Sequence, residues 1–143
     1  MAIQQMSVFV GNQKGALAKT LRLLADSGID LRALSIADTA DFGILRFIAS
    51  NNEKAASVLH ANGMIYSETP VVAAYVPDQP GGLASELEAL AEAGINVEYT
   101  YAFVTTGGKE ACVVLRVPDP AAAEAVLLRN NIRIASEAEL QSL

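Results

Sequence analysis

The sequence predicts an α+β fold of two ferredoxin-like βαββαβ units in tandem, residues 1–68 and 69–143, each an antiparallel sheet with its helices on one face. Three observations predict it. The chain repeats itself at a spacing of 66 residues. Its apolar residues switch between period 2 and period 3.6 in the order strand, helix, strand, strand, helix, strand. Turn-forming residues separate those stretches at matching places in both halves.

The repeat is read residue by residue. Gly15, Ala16 and Leu17 stand against Gly81, Gly82 and Leu83, and at the same offset Leu21 meets Leu87, Leu24 meets Leu90 and Ala25 meets Ala91. Gly28, Ile29, Asp30 and Leu31 meet Gly94, Ile95, Asn96 and Val97. After a two-residue insertion near Gly107 and Gly108, Val58 and Leu59 meet Val126 and Leu127, and Asn62 meets Asn130, at an offset of 68.

The opening strands are Met6–Val10 and Val72–Val76, short runs rich in β-branched and aromatic residues. They end in turns over residues 11–15 and 77–81. Helices follow, with Leu17, Leu21 and Leu24 in one and Leu83, Leu87 and Leu90 in the other at helical spacing. Gly28 and Gly94 stop them. Second strands are expected over Leu31–Thr39 and Val97–Thr105, and third strands over Phe42–Ala49 and Glu110–Val117, with a hairpin turn at Gly107–Lys109 between the second and third strands of the second copy. The second helices are Glu53–Ala61 and Ala121–Asn130, the last preceded by the cap-and-proline pair Asp119 and Pro120. Short strands at Met64–Tyr66 and Ile132–Ala135 close the units, with Ser67–Pro70 as the connector.

Both faces of the third strands are mostly apolar: Ile44 and Ile48 alternate with Leu45 and Phe47, and Cys112 and Val114 with Val113 and Leu115. A face without helices should be polar if it met water, so cover by the other repeat or by another chain is expected, and a homodimer is the commonest closed assembly.

Composition bounds the function. Of 143 residues, 52% are hydrophobic and the mean hydropathy is +0.31, enough for a packed core. No apolar run approaches the ~20 residues of a membrane-spanning helix, and the N-terminus has no basic leader or small-residue cleavage site. One cysteine, Cys112, excludes an internal disulfide and fits a reducing compartment, so a cytoplasmic protein is expected. The net charge is −6, with ten scattered basic residues, which argues against a nucleic-acid partner. Residues 1–70 are balanced, six basic against six acidic; residues 71–143 carry four basic against ten acidic, as in a duplication that has diverged.

A strand, a turn with Asp78, Gln79, Pro80 and Gly81, a Leu-rich helix and then Gly94, Ile95, Asn96 and Val97 resemble the ACT domain, a small amino-acid-binding module of regulatory segments in amino-acid metabolism. The first copy departs from the pattern, with Asn12, Gln13, Lys14 and Gly15 at its turn. The resemblance covers about residues 3–66 and 71–135 and implies a ligand site between ACT units, built around the first β–α turn, in a protein without a catalytic domain.

Elementary chemistry points to the same place. A helix N-terminus offers unpaired N–H groups and a partial positive charge to a carboxylate. Gly15, Gly81 and Gly82 let a ligand approach the backbone. Asp78 suits an α-ammonium, Asn12 either end of the ligand, and Lys14 the carboxylate. Such charge-assisted contacts contribute roughly 1.5–3 kcal/mol each when shielded. Gln13, Ala16, Leu17, Gln79 and Leu83 complete the two turns, with Ser35 and Tyr101 as counterparts on the second strands. The plainer alternatives stand beside these: a turn that merely joins strand to helix, a solvated Lys14, and a Tyr99, Tyr101, Phe103 alternation that is one apolar strand face.

His60 reads as a surface residue and Cys112 as a small core residue, so neither supports catalysis, and no metal-ligand cluster or phosphate loop is present; no cofactor is expected. Arg46, in an otherwise apolar strand, is expected to have a specific partner. The sequence therefore predicts a non-catalytic sensor of a free amino acid. The alternative is a ligand-free interaction module or a regulatory subunit of a metabolic enzyme.

Overall fold

A computed structural model describes residues 2–38, 40–104 and 108–142. Thr39, Thr105 and Gly107, placed by the sequence in two strands and a hairpin turn, lie outside the described residues. The chain divides into two compact units, Gln4–Thr69 and Pro70–Leu143, the latter together with Met1–Ile3.

In the first unit, β1 (Ile3–Gly11), β2 (Leu31–Asp38) and β3 (Phe42–Ala49) form an antiparallel sheet in the order β2-β3-β1. Val8 lies opposite Leu45 and Met6 opposite Phe47. Against that face pack α1 (Ala16–Asp26) and α2 (Asn52–Ala61), through Leu24, Ala55 and Leu59. The side chain of Asn51 caps α2, accepting from Lys54 N at 3.0 Å.

β4 (Tyr66–Pro77) begins in the first unit and ends in the second. The second unit adds α3 (Gly82–Glu92), β5 (Tyr99–Ala102), β6 (Glu110–Arg116), α4 (Pro120–Arg129) and α5 (Glu137–Gln141). β6 is flanked by β4 and β5, with Ala74 opposite Val113 and Tyr101 opposite Val114. Val72, Ala74, Val76, Val113 and Leu115 meet Leu90 of α3 and Ala123, Val126 and Leu127 of α4 in its core. Asp119 caps α4 through its carboxylate, which accepts from Ala122 N at 3.2 Å, with Pro120 in the first turn.

Four expectations need correction. Ser67–Pro70, the expected connector, links the units as strand despite its polar composition: these are the second to fifth residues of β4. The strand expected at Met64–Tyr66 therefore starts only at Tyr66. The strand expected at Ile132–Ala135 shrinks to one bridge between Ala74 and Ile134, flanked by Tyr75 N to Arg133 O and Ala135 N to Ala73 O, each 2.9 Å. β5 starts later than the expected Val97–Thr105: Val97 packs against the core, and Glu98 is held before the strand by its N–H to Arg116 O and its carboxylate 3.5 Å from the Arg116 guanidinium.

The fourth correction concerns the covered face. α5 was not anticipated, being five residues long and without apolar periodicity. It is capped by Ser136 and bonded to Tyr75, whose side chain points away from the α3–α4 core. Its Leu140 is fully buried. Part of the cover over the Tyr75 face of β4 thus comes from the chain's own last helix.

Candidate functional site

The turn between β4 and α3 is tightly tied. Asp78 N donates to Lys109 O at 3.0 Å, Gln79 N to Pro77 O at 2.9 Å and Gly82 N to Gln79 O at 3.1 Å. Gly81 takes the left-handed conformation, φ 85°, that starts α3. At Gly82 the constraint is space: a Cβ there would lie 2.2 Å from the Pro77 carbonyl oxygen.

Beside this turn lies a cavity of about 700 Å³. Three of the anticipated residues, Gln79, Gly81 and Gly82, form part of its wall. Ser85 and Glu86 of α3, Tyr75 of β4, Glu110 of β6, and Asn130 and Arg133 after α4 complete the polar lining. A second cavity, about 460 Å³, lies in the first unit against Ala16, Thr20, Phe9, Asn62 and Met64. These are repeat counterparts of residues in the larger cavity: Ala16 of Gly82, Thr20 of Glu86, Phe9 of Tyr75, Asn62 of Asn130 and Met64 of Ile132. The duplication has carried the hollow along with the fold.

The other anticipated residues are placed as follows. Asn12, Gln13 and Leu17 line a separate hollow of about 120 Å³ with Ile36 and Asp38. Asn12 also ties its turn down, its N–H donating to Asp41 O at 3.1 Å and its amide to Ala40 O at 3.2 Å. Lys14, Gly15 and Asp78 are exposed, and none belongs to these walls. Leu83 packs on the second core and Leu17 on the first. Ser35 is half-buried on β2, in register with Arg46. Tyr101 stacks on Tyr99, ring centroids 6.4 Å apart, on β5 and away from these cavities. His60 is exposed on α2. Cys112 is buried, and burial, reinforced by Glu86 and Glu139, pushes its thiol up to about 12.

Sequence reasoning missed the charged part of the wall. The Arg133 guanidinium sits 3.6 Å over the Tyr75 ring, 3.0 Å from a Glu110 oxygen and 3.1 Å from a Glu139 oxygen. Tyr75 donates its hydroxyl to the same Glu139 oxygen at 2.7 Å. Burial, then Glu139, raises the Tyr75 hydroxyl, while the bond from Tyr75 holds the Glu139 carboxyl below its ordinary range. Glu86 is 2% exposed, and burial lifts its carboxyl to about 7. A signal for Glu86 existed: it stands four residues after Gly82 and four before Leu90, on the buried stripe of α3.

Among the described residues there is no cluster of His, Cys, Asp and Glu able to hold a metal, and no helix is long and apolar enough to cross a membrane. What remains is a hollow with a helix N-terminus at its mouth, repeated in both units. The family description "ACT domain pair" matches residues 1–143. The chain belongs to the ACT domain pair family.

This ACT pair is similar to protein BT0572 of Bacteroides thetaiotaomicron, with 36% identity and a TM-score of 0.92 over 100% of this chain and 98% of that one. It shares its fold with the regulatory subunit of aspartate kinase from Thermus thermophilus, at 18% identity and TM-score 0.64 over 88% and 90% of the two chains. The regulatory subunit from Thermus flavus gives 17%, 0.62, 90% and 93%. A search among curated proteins returned no match.

Proposed function

We propose that this ACT pair is a non-catalytic regulatory protein that binds a free amino acid at its first β–α turns. The observation that carries the reading is the hollow found at equivalent places in both repeats, with Gln79, Gly81 and Gly82 at one and Ala16 at the other. The first-turn N–H groups of α3 suit a carboxylate. Tyr75, Asn130 and Ser85 supply neutral polar groups for the rest of the ligand. Asp78, Lys14, Asn12, Gln13, Gly15, Leu17, Leu83, Ser35 and Tyr101 enter only as secondary contacts, since none lies in the walls of the two matching cavities.

In this reading the protein is cytoplasmic and works as a homodimer. Support for a second copy comes from Phe9 and Phe42, 48% and 42% exposed with rings 5.6 Å apart on the first unit. Ligand would shift packing that a partner enzyme of amino-acid metabolism reads, a coupling of roughly 1–3 kcal/mol.

The test is a thermal-shift screen against the twenty amino acids. A ligand at ~100 times its Kd stabilises the native state by about 2.7 kcal/mol, a rise on the order of 5–10 °C at this chain length. A shift confined to one or a few related amino acids supports the sensor and names its ligand class. No shift at millimolar concentration turns the assignment to an interaction module.

A further inference from the structure

Glu86 stands apart in the second unit. It is 2% exposed, and among the described residues it is the only side chain whose two carboxyl oxygens are both buried without a hydrogen-bond partner. It sits one helical turn beyond Gly82 and forms part of the wall of the 700 Å³ cavity. The first unit solves the same place differently. Thr20, also 2% exposed, satisfies its hydroxyl locally by donating to Ala16 O at 3.1 Å.

A buried carboxylate without a partner costs several kcal/mol, and Leu or Gln would fill this space on a helix without that cost. The basic residue on the same cavity wall offers no relief. Arg133 directs one arm of its guanidinium to Glu110 and the other to Glu139, and its face lies over Tyr75. Arg133, Glu110 from β6 and Tyr75 from β4 are the other charged and titratable groups on the cavity wall, and the Cys112 thiol is raised by burial first and by Glu86 second. Burial raises the carboxyl of Glu86 to about 7, so near neutral pH a cation arriving in the cavity meets a group that readily ionises. Groups perturbed in this way cluster at binding sites.

We propose that the cavity of the second unit takes a ligand carrying an ammonium group, and that Glu86 is the counter-ion of that group. The inference rests on the ligand-binding reading above and narrows its ligand to a chemical class. An ammonium has three N–H donors, enough to satisfy both oxygens of Glu86 at once. Glu86 lines the cavity while both of its oxygens are buried, so in this proposal rotation about the side chain's own bonds turns the carboxylate toward the ammonium as it enters. The first unit has Thr20 in place of Glu86, and the carboxylate on its cavity wall, Asp26, is exposed and paired with Arg22 at 3.5 Å. The two cavities of one chain therefore differ in the ligands they accept.

The ammonium has two sources: the α-ammonium common to all amino acids, or an amine further along a ligand such as a basic side chain or a diamine. Calorimetry on the full chain separates them, with lysine, norleucine and 1,5-diaminopentane as probes alongside the twenty amino acids, at about pH 8 where Glu86 is charged. Equal binding of lysine and norleucine identifies the α-ammonium. Binding of lysine and the diamine without norleucine identifies the distal amine. In either case Glu86→Gln weakens the bound compound at least tenfold, about 1.4 kcal/mol. A ¹³C signal from the Glu86 carboxyl, identified by its absence in Glu86→Gln, provides a second readout in the unaltered protein: its titration midpoint falls when the ammonium binds.

If an amino acid binds while Glu86→Gln keeps its affinity and the carboxyl signal stays put, the counter-ion role is overturned and the amino-acid reading stands. If only the diamine moves the signal, the counter-ion role stands and the amino-acid reading fails. If no ammonium compound moves it at millimolar concentration, the counter-ion role is overturned whatever the thermal screen shows.

Discussion

Alanine at Gly82 and alanine at Gly81 perturb one turn for two different reasons, and the structure ranks them. At Gly82 an added Cβ would lie 2.2 Å from the Pro77 carbonyl oxygen, 3.2 Å from its carbon and 3.3 Å from a Val76 methyl. Ordinary contact requires the backbones to part by about 1 Å, and the obstructing atom is main chain, unable to rotate aside. Overpacking of this kind costs about 1–3 kcal/mol, with the upper end expected here. At Gly81 there is open space, but φ is +85° and a side chain there meets about 1–2 kcal/mol of left-handed strain. For a unit of this size each kcal/mol lowers Tm by roughly 4–8 °C. Urea unfolding followed by tyrosine fluorescence suits the comparison, because Tyr75, Tyr99 and Tyr101 lie in the second unit and only Tyr66 in the first. Gly82→Ala should be the more damaging change. The first unit already carries Ala16 at the place of Gly82, with Gly11 rather than a proline at the strand end. A Gly82→Ala protein as stable as the parent, or more stable than Gly81→Ala, would refute the close-approach argument.

Glu86 should also give stability a pH dependence. Its carboxyl is raised from 4.5 to about 7, so the folded state holds the proton more tightly than the unfolded chain. The stabilisation is therefore full below about 4.5 and lost as pH rises through about 7, on the order of 3 kcal/mol in all. Glu86→Gln should abolish that slope, and parallel urea midpoints for the two proteins at pH 5 and pH 8 would contradict the assignment. Tyr75→Phe removes the 2.7 Å bond to Glu139 and should loosen α5 by about 1 kcal/mol, read as faster hydrogen exchange at its amides. Unchanged exchange there would mean that burial of Leu140 alone holds the helix.

Much of the fold was legible because a repeat constrains two stretches at once. Leu17, Leu21 and Leu24 would be a weak helix signal alone, but beside Leu83, Leu87 and Leu90 they become one pattern seen twice. The Asp119 cap was legible for a local reason, since its carboxylate bonds a backbone N–H only three residues on. The misreadings occurred where local composition and long-range pairing disagree. Ser67, Glu68, Thr69 and Pro70 have loop composition, yet they lie within one strand of twelve residues. α5 is bonded to Tyr75, 64 residues earlier in the chain, and to Arg133, and no local periodicity announces it.

For the candidate site, the sequence pointed to a turn that borders the cavity but to only part of the cavity wall. Gln79, Gly81, Gly82 and Ala16 line the matching cavities, while Glu86, Tyr75, and Asn130 with Arg133 come from three separate segments. By itself the sequence determined the duplicated βαββαβ order, the ACT kinship and the acidic second half, because these depend on periodicity and on residues compared at a fixed offset. Only the tertiary structure decided that Glu86 is buried without a partner while its counterpart Thr20 is satisfied. A helix pattern shows which stripe faces inward, but whether a polar group on that stripe finds a donor depends on what distant segments bring to meet it.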